Sequence, residues 1–310
     1  MQFRLASIVL AGVLLSACNA ENQKAKALFA SCDTGDAKAC NEIAERLRDG
    51  KYVLRDNDRA AQLFRKSCDG RVGNGCANLG IVTLTRGFAG DSPTPKKVKP
   101  DTVRAIALFQ QACDLNGLEG CTRLGTFYRK GTRVDRDFGR AATLYTKACD
   151  GGHLDGCSRL ASVYAAGEGV TQDYDKARDL SKKSCDAKVA LGCVELGRLY
   201  AAGTGVTRND SIAASMYERG CEGREQEGCV QLGKAYESGV GVKQDFDHAG
   251  NLYREACEDN HAEGCFREGL LYDKGAGVYR SLKRADALMK KACDLGYAEA
   301  CNRPKSAPQT

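Results

Sequence analysis

Seventeen cysteines stand in 310 residues, and any chemistry in this chain has to start from sulfur. Sixteen of them form eight pairs, each pair eight positions apart: Cys32 and Cys40, Cys68 and Cys76, Cys113 and Cys121, Cys149 and Cys157, Cys185 and Cys193, Cys221 and Cys229, Cys257 and Cys265, Cys293 and Cys301. Paired thiols can close a disulfide, hold a metal or exchange electrons. Structural zinc favours C-x-x-C clusters or histidine partners, and redox exchange favours C-x-x-C; the chain contains no C-x-x-C. Other reactive types are sparse. Neither S-x-x-K nor G-x-S-x-G occurs, so the serine hydrolase signatures are missing. The three histidines are His153, His248 and His261. The first and last take the same turn position three units apart, and His248 falls in a helix first turn, so they do not share a metal. No metal, cofactor or catalytic residue is expected.

The elements that position the cysteines repeat with them. First cysteines recur every 36 residues, except for a step of 45 between Cys68 and Cys113. The added residues fall in a Gly/Pro/Lys-rich stretch near 87–100, read as a lengthened loop. A fixed period of this size marks a stacked array. Eight positions before the first cysteine stands Ala60, Ala105, Ala141, Ala177, Ala213, Ala249 or Ala285. Five before it stands Leu63, Leu108, Leu144, Leu180, Met216, Leu252 or Leu288. Four before it is usually aromatic: Phe64, Phe109, Tyr145, Tyr217, Tyr253. These spacings form one apolar helical stripe. Twelve before it stand Asp56, Asp101, Asp137, Asp173, Asn209, Asp245 and Ser281, all able to cap a helix start. A second helix follows the second cysteine and stops at glycines such as Gly203 and Gly239, which tolerate the left-handed backbone of a helix end. Each unit is therefore an antiparallel helical hairpin.

This pattern resembles the Sel1-like repeat, a tetratricopeptide-like module. With two cysteines per unit it is similar to the cysteine-rich Sel1-like proteins of Helicobacter. The resemblance spans roughly residues 22 to 301. It implies an all-α, right-handed α/α solenoid, or superhelix, of eight hairpins over 22–303, with a short disordered tail at 304–310. Within each hairpin the two cysteines end one helix and begin its antiparallel partner, so they face each other within disulfide reach. One disulfide per hairpin is expected.

The N-terminus reads as a leader. Met1 to Arg4 is weakly positive and Leu5 to Leu15 is apolar but too short to span a bilayer. Leu15-Ser16-Ala17-Cys18 resembles a bacterial lipobox, which implies a signal peptide at 1–17, acylation of Cys18 and a tether at 18–21. Asn19 resembles the sorting pattern for the outer membrane. The expected place is the outer membrane, with the array on its periplasmic face or at the cell surface.

A formal charge of +6 with interspersed signs is too mild for a nucleic-acid partner. A hydrophobic share of 43% with no tryptophan leaves the core to small and aliphatic residues and tyrosine. Nine positions before the first cysteine, basic residues recur: Arg59, Arg104, Arg140, Lys176 and Arg284. They predict a basic edge along the inter-unit loops that meets an anionic partner. Acidic residues directly follow each first cysteine, from Asp33 to Asp294. The expected function is a monomeric, non-catalytic scaffold for an envelope protein, peptide or peptidoglycan fragment. The Helicobacter resemblance implies the alternative, a penicillin-binding protein with weak β-lactamase activity.

Overall fold

The computed structural model describes residues 20–86 and 101–302. The leader at 1–17, Cys18, the insertion at 87–100 and the tail at 304–310 lie outside the described residues. Two compact units divide the chain, one ending at His153 and the other beginning at Leu154. Both are all-helical among the described residues.

The first unit contains α1 (20–33), α2 (Ala37–Asp49), α3 (Asn57–Asp69), α4 (Gly73–Arg86), α5 (Thr102–Asp114), α6 (Leu118–Lys130) and α7 (Phe138–Asp150). The second contains α8 (Leu154–Ala166), α9 (Tyr174–Asp186), α10 (Ala190–Ala202), α11 (Asp210–Glu222), α12 (Gln226–Ser238), α13 (Phe246–Glu258), α14 (Ala262–Lys274), α15 (Leu282–Asp294) and the short α16 (Ala298–Cys301). Within each unit, from α2 onward, every helix packs on the next, and even-numbered helices also touch the next even-numbered helix from α2 to α6 and from α8 to α14. That is the contact pattern of a solenoid, in which each layer buries its face only against its neighbours.

The capping residues predicted from sequence start the odd helices. Asp56, Asp101, Asp137, Asp173, Asn209 and Asp245 accept from the backbone N–H three residues on, at 2.8–3.0 Å. Ser281 caps α15 through Arg284 N–H. The even helices end on left-handed glycines such as Gly131, Gly203, Gly239 and Gly275. A side chain five positions beyond that glycine reaches back to the same helix end: Arg55 to Arg48 O, Gln172 to Ala165 O, Gln244 to Glu237 O and Arg280 to Asp273 O, at 2.8–2.9 Å.

The sulfurs are joined as the hairpin reading requires. Seven of the pairs bring their Cα atoms to 4.4–4.8 Å. Such a density of disulfides belongs to a chain that matures in an oxidising compartment outside the cytoplasm. Among the described residues no helix is long and apolar enough to cross a membrane. Cys221, Cys229 and Glu255 also lie close enough to surround an ion, but a disulfide has no thiolate to offer a metal.

Around the sulfurs the core is thin and built of small residues. In the first unit Ile43, Phe64, Leu63 and Leu79 pack with alanines and four disulfide cysteines; in the second, Val194, Tyr217, Val230, Tyr253 and Leu271 form one cluster. Basic residues tie successive hairpins together: Lys147 donates to Cys113 O, Arg219 to Cys185 O and Lys291 to Cys257 O, at 2.6–2.7 Å. Each caps the carbonyl end of an odd helix, where a cation is favoured.

At one repeated aliphatic position of the core the pattern breaks. Glu268 stands where other units have leucine and is only 8% exposed. Burial raises its carboxyl above the ordinary range, an effect that Arg254 and Arg284 partly offset. A carboxylate ionises more easily in the unfolded chain than at this site, so its burial costs stability once pH exceeds the unfolded value. Glu268→Leu is expected to stabilise the second unit by about 1–2 kcal/mol at neutral pH. The gain should shrink as pH falls below the unfolded carboxylate range, where the buried acid is neutral in both states. Urea denaturation at pH 7 and pH 3.5 checks both statements.

Candidate functional site

The polar residues of the even helices gather on one face in each unit. In the first unit Asn78 on α4 donates to Asn41 and Glu45 on α2, at 3.1 and 3.0 Å, and accepts from Arg48 at 2.9 Å. Beside this cluster opens a groove of about 420 Å³. Its walls include Glu45, Asn74, Asn78, Asn116, Glu119 and His153. Asn74 and Asn116 are exposed, so their amides are open to a partner. A carboxamide offers both donor and acceptor, which suits the alternating N–H and C=O groups of an extended peptide.

At one end of the groove stands a chain of three groups. His153 Nε2 lies 3.0 Å from Glu119 Oε2, and His153 Nδ1 lies 3.0 Å from Thr122 Oγ1. Arg123 pairs with the same glutamate at 2.5 Å. The hydrogen bond from His153 is the main cause that pulls the Glu119 carboxyl down to about 2, with Arg123 adding to it against the opposing effect of burial. Hydroxyl, imidazole and carboxylate in this order resemble a nucleophile with its base and orienting acid. The hydroxyl cannot play that part: Thr122 is 1% exposed and donates its proton to Leu118 O at 3.0 Å. The chain of groups instead anchors the turn before α8 to α6.

Because the folded Glu119 ionises at a lower pH than the unfolded one, its pairing contributes stability above the unfolded carboxylate pKa. That contribution is lost as pH falls from about 4.5 toward about 2. Glu119→Gln is expected to cost about 1 kcal/mol at pH 6 and well under half of that at pH 2.5, where most of the contribution has been titrated away; thermal unfolding at the two pH values measures the difference.

The second unit carries a more continuous ladder. Arg198 on α10 bridges buried Glu195 at 2.9 Å and Glu227 on α12 at 2.9 Å. Glu227 also meets His261 Nε2 at 3.4 Å, and His261 caps α14 by accepting from Gly264 N–H. Hydrogen bonding from His261, then from Gln231 and Arg198, holds the Glu227 carboxyl far below its ordinary range against burial. Lys234 meets Glu263 at 2.6 Å, and Arg267 joins Glu263 to Glu237. Tyr253 donates to Glu237 at 2.7 Å.

The basic residues singled out by spacing have a packing role. Arg59 lies over Phe29 and Arg140 over Tyr128, each 4.3 Å from the ring centre. Lys176 lies over Tyr164 and Arg284 over Tyr272, each at 5.0 Å. Arg104 is placed by its own N–H, which Asp101 accepts. His248 meets Tyr236 at the equivalent position. Stacking a cation on an aromatic face leaves its charge intact, but it fixes these side chains to the neighbouring helix. The spacing gave them as a basic edge and did not show these ring contacts, and it missed the two glutamate–histidine pairs. Those pairs had a signal: Glu119 and His153, and Glu227 and His261, are each 34 residues apart, close to one repeat.

Comparison with known proteins agrees with this architecture. The Sel1 repeat model matches seven stretches: residues 37–71, 75–117, 118–153, 154–189, 190–224, 226–261 and 262–297. No curated protein matches the chain. A Sel1 repeat protein from Oxalobacter formigenes is 21% identical and superposes with a TM-score of 0.58, over 90% of this chain and 79% of that one. A protective antigen of uropathogenic Escherichia coli displaying an SLR fold is 24% identical, with a TM-score of 0.55 over 89% of this chain. This chain spans 57% of that antigen's length. Cysteine rich protein B of Helicobacter pylori is 29% identical over 44% of this chain and 97% of its own, with a TM-score of 0.35. The repeats cover most of the sequence, and the chain belongs to the Sel1 repeat family.

Proposed function

We propose that this protein is a non-catalytic binding scaffold of the bacterial cell envelope, which takes an extended polar segment of a peptide or of peptidoglycan in the groove of its first unit. The observation that carries this reading is the groove itself. Its exposed amides and paired carboxylates are set to exchange hydrogen bonds, while the one hydroxyl beside an imidazole there is buried and already spent. The disulfides fit the envelope, and the lipobox-like Leu15 to Cys18 segment supports attachment there through an acylated Cys18, on the outer membrane. The β-lactamase alternative has no arrangement on this face to support it.

Binding to an immobilised library of extended peptides and muropeptides tests the reading. Asn74→Lys with Asn116→Lys is expected to weaken retention of the selected ligands about tenfold, the worth of one or two hydrogen bonds, with an unchanged melting temperature. Nitrocefin hydrolysis should stay at the level of a reduced, unfolded control. Turnover above that control, or retention indifferent to both substitutions, would overturn the proposal.

A further inference from the structure

The loops that join even to odd helices share one pattern, and the first unit departs from it. In the second unit the residue two positions past the helix-ending glycine is again glycine: Gly169, Gly205, Gly241 and Gly277, all with φ between 67° and 76°. In the first unit the same left-handed position holds Tyr52, at φ 63°, and Arg133, at φ 62°. A side chain with a Cβ is disfavoured in this conformation, and residues retained against such strain tend to serve recognition.

Their surroundings point to what is recognised. The twelve residues 129–140 hold five cations, Arg129, Lys130, Arg133, Arg136 and Arg140, against Asp135 and Asp137. Of the matching windows of the second unit, 165–176 and 237–248 each hold one cation against three acids, 201–212 holds one against one, and 273–284 holds four against one but has glycine, Gly277, at the left-handed position. Among the described residues Lys130 and Arg133 have no carboxylate partner within salt-bridge distance, and both are exposed. The α2–α3 loop adds Lys51 beside the Tyr52 ring, at 5.6 Å. Apolar side chains stand out along the same edge: Leu54 is 92% exposed, Val103 68% and Tyr52 49%. Because even helices of the unit stack side by side, these loops emerge from the same end of the hairpins.

We infer that this edge of the first unit docks on an anionic lipid surface, with Lys51, Lys130 and Arg133 on the headgroups and Tyr52, Leu54 and Val103 entering the interface. Cations on the headgroups with a tyrosine and aliphatic tips beneath them match the make-up of an interfacial surface. A rigid acidic protein partner would match the charge but leaves Leu54 without a reason to be nearly bare. The inference is separate from the groove, which lies on the even-helix face, and does not depend on it.

Arg133→Gly makes a clean probe, because glycine relieves the left-handed backbone and so does not unfold the loop. Full-length protein is sedimented with vesicles of phosphatidylcholine alone and with vesicles carrying 30% phosphatidylglycerol, and the ratio of the two partition coefficients is the readout. Any insertion by the N-terminal segment then divides out. The wild type is expected to prefer anionic vesicles. Each cation lost should lower the ratio about fivefold, so Lys51→Ser with Arg133→Gly lowers it about 25-fold. Leu54→Ser should weaken partition on anionic vesicles further. The control Lys243→Ser, in a window with excess acid, should leave the ratio unchanged. A wild type with no anionic preference overturns the inference, as does a double variant that keeps the wild-type ratio or a control that loses it.

Discussion

The double substitution Cys185→Ala with Cys193→Ala should lower the stability of the second unit by about 2–3 kcal/mol, the chain entropy released by opening a loop of nine residues. For a unit of this size that is a fall in melting temperature of roughly 5–10 °C. The two sulfurs are 0% and 2% exposed, so their removal also takes apolar contacts from the cluster with Leu196. The loss matters more here than in a domain with a large core, because each layer buries little beyond alanines, one aromatic ring and its own disulfide. Reduction of all the bridges should destabilise the array well beyond the single case, though by less than eight times, since reduced neighbours keep part of their local structure. Circular dichroism followed through a thermal scan, with and without a phosphine reductant, measures both. An unchanged midpoint in the double variant would mean that the bridges contribute nothing to the fold.

Gly228→Ala is expected to do comparable damage by a different route. Gly228 precedes Cys229 at the start of α12, where α11 and α12 cross closest. A methyl group there would stand 2.8 Å from Cys221 N, 3.0 Å from Gly220 C and 3.0 Å from Tyr217 O. All three are backbone atoms of the facing helix, and none can turn aside as a side chain would. The helices must therefore separate against the Cys221–Cys229 bridge. The expected cost is about 2–3 kcal/mol, after the modest gain that alanine brings inside a helix. Glycine holds the same place before Cys76, Cys121, Cys157, Cys193 and Cys265, so it goes with the bridge. Chemical denaturation of Gly228→Ala beside Gly139→Ala, where a methyl would meet only the Asp137 carboxylate at 3.5 Å, separates crowding from a general effect of alanine.

The features legible in the sequence were those repeated at a fixed phase. Asp137, Asp173 and Asn209 cap their helices as their spacing requires, and Cys113 and Cys121 meet as a turn of that length demands. Less legible was anything that depends on which layer a side chain leans toward. Arg140 and Lys176 read as a row of exposed cations, yet each lies on a tyrosine of the helix before it. Nothing in the period marks the partners of Lys147 and Arg219, yet they tie one hairpin to the carbonyl end of the last. Period alone gives a residue's height in its hairpin and says little about the neighbouring layer. The groove was invisible for the same reason: Glu45, Asn74, Asn116 and His153 come from successive repeats and share no local motif. The excess of cations in 129–140 was in plain view, but the left-handed backbone of Arg133, shared with Tyr52 in the first unit, sets that loop apart from the glycine-bearing loops of the second.

All of this rests on each sulfur bonding within its own hairpin. Proteolysis of the mature protein under non-reducing conditions, with free thiols blocked at the outset and the fragments sequenced by mass spectrometry, tests it directly. Linked peptides should always join cysteines eight positions apart, from Cys32 with Cys40 to Cys293 with Cys301, with no blocked thiol among those sixteen. Blocked cysteines in the folded protein, or links between different hairpins, would contradict it.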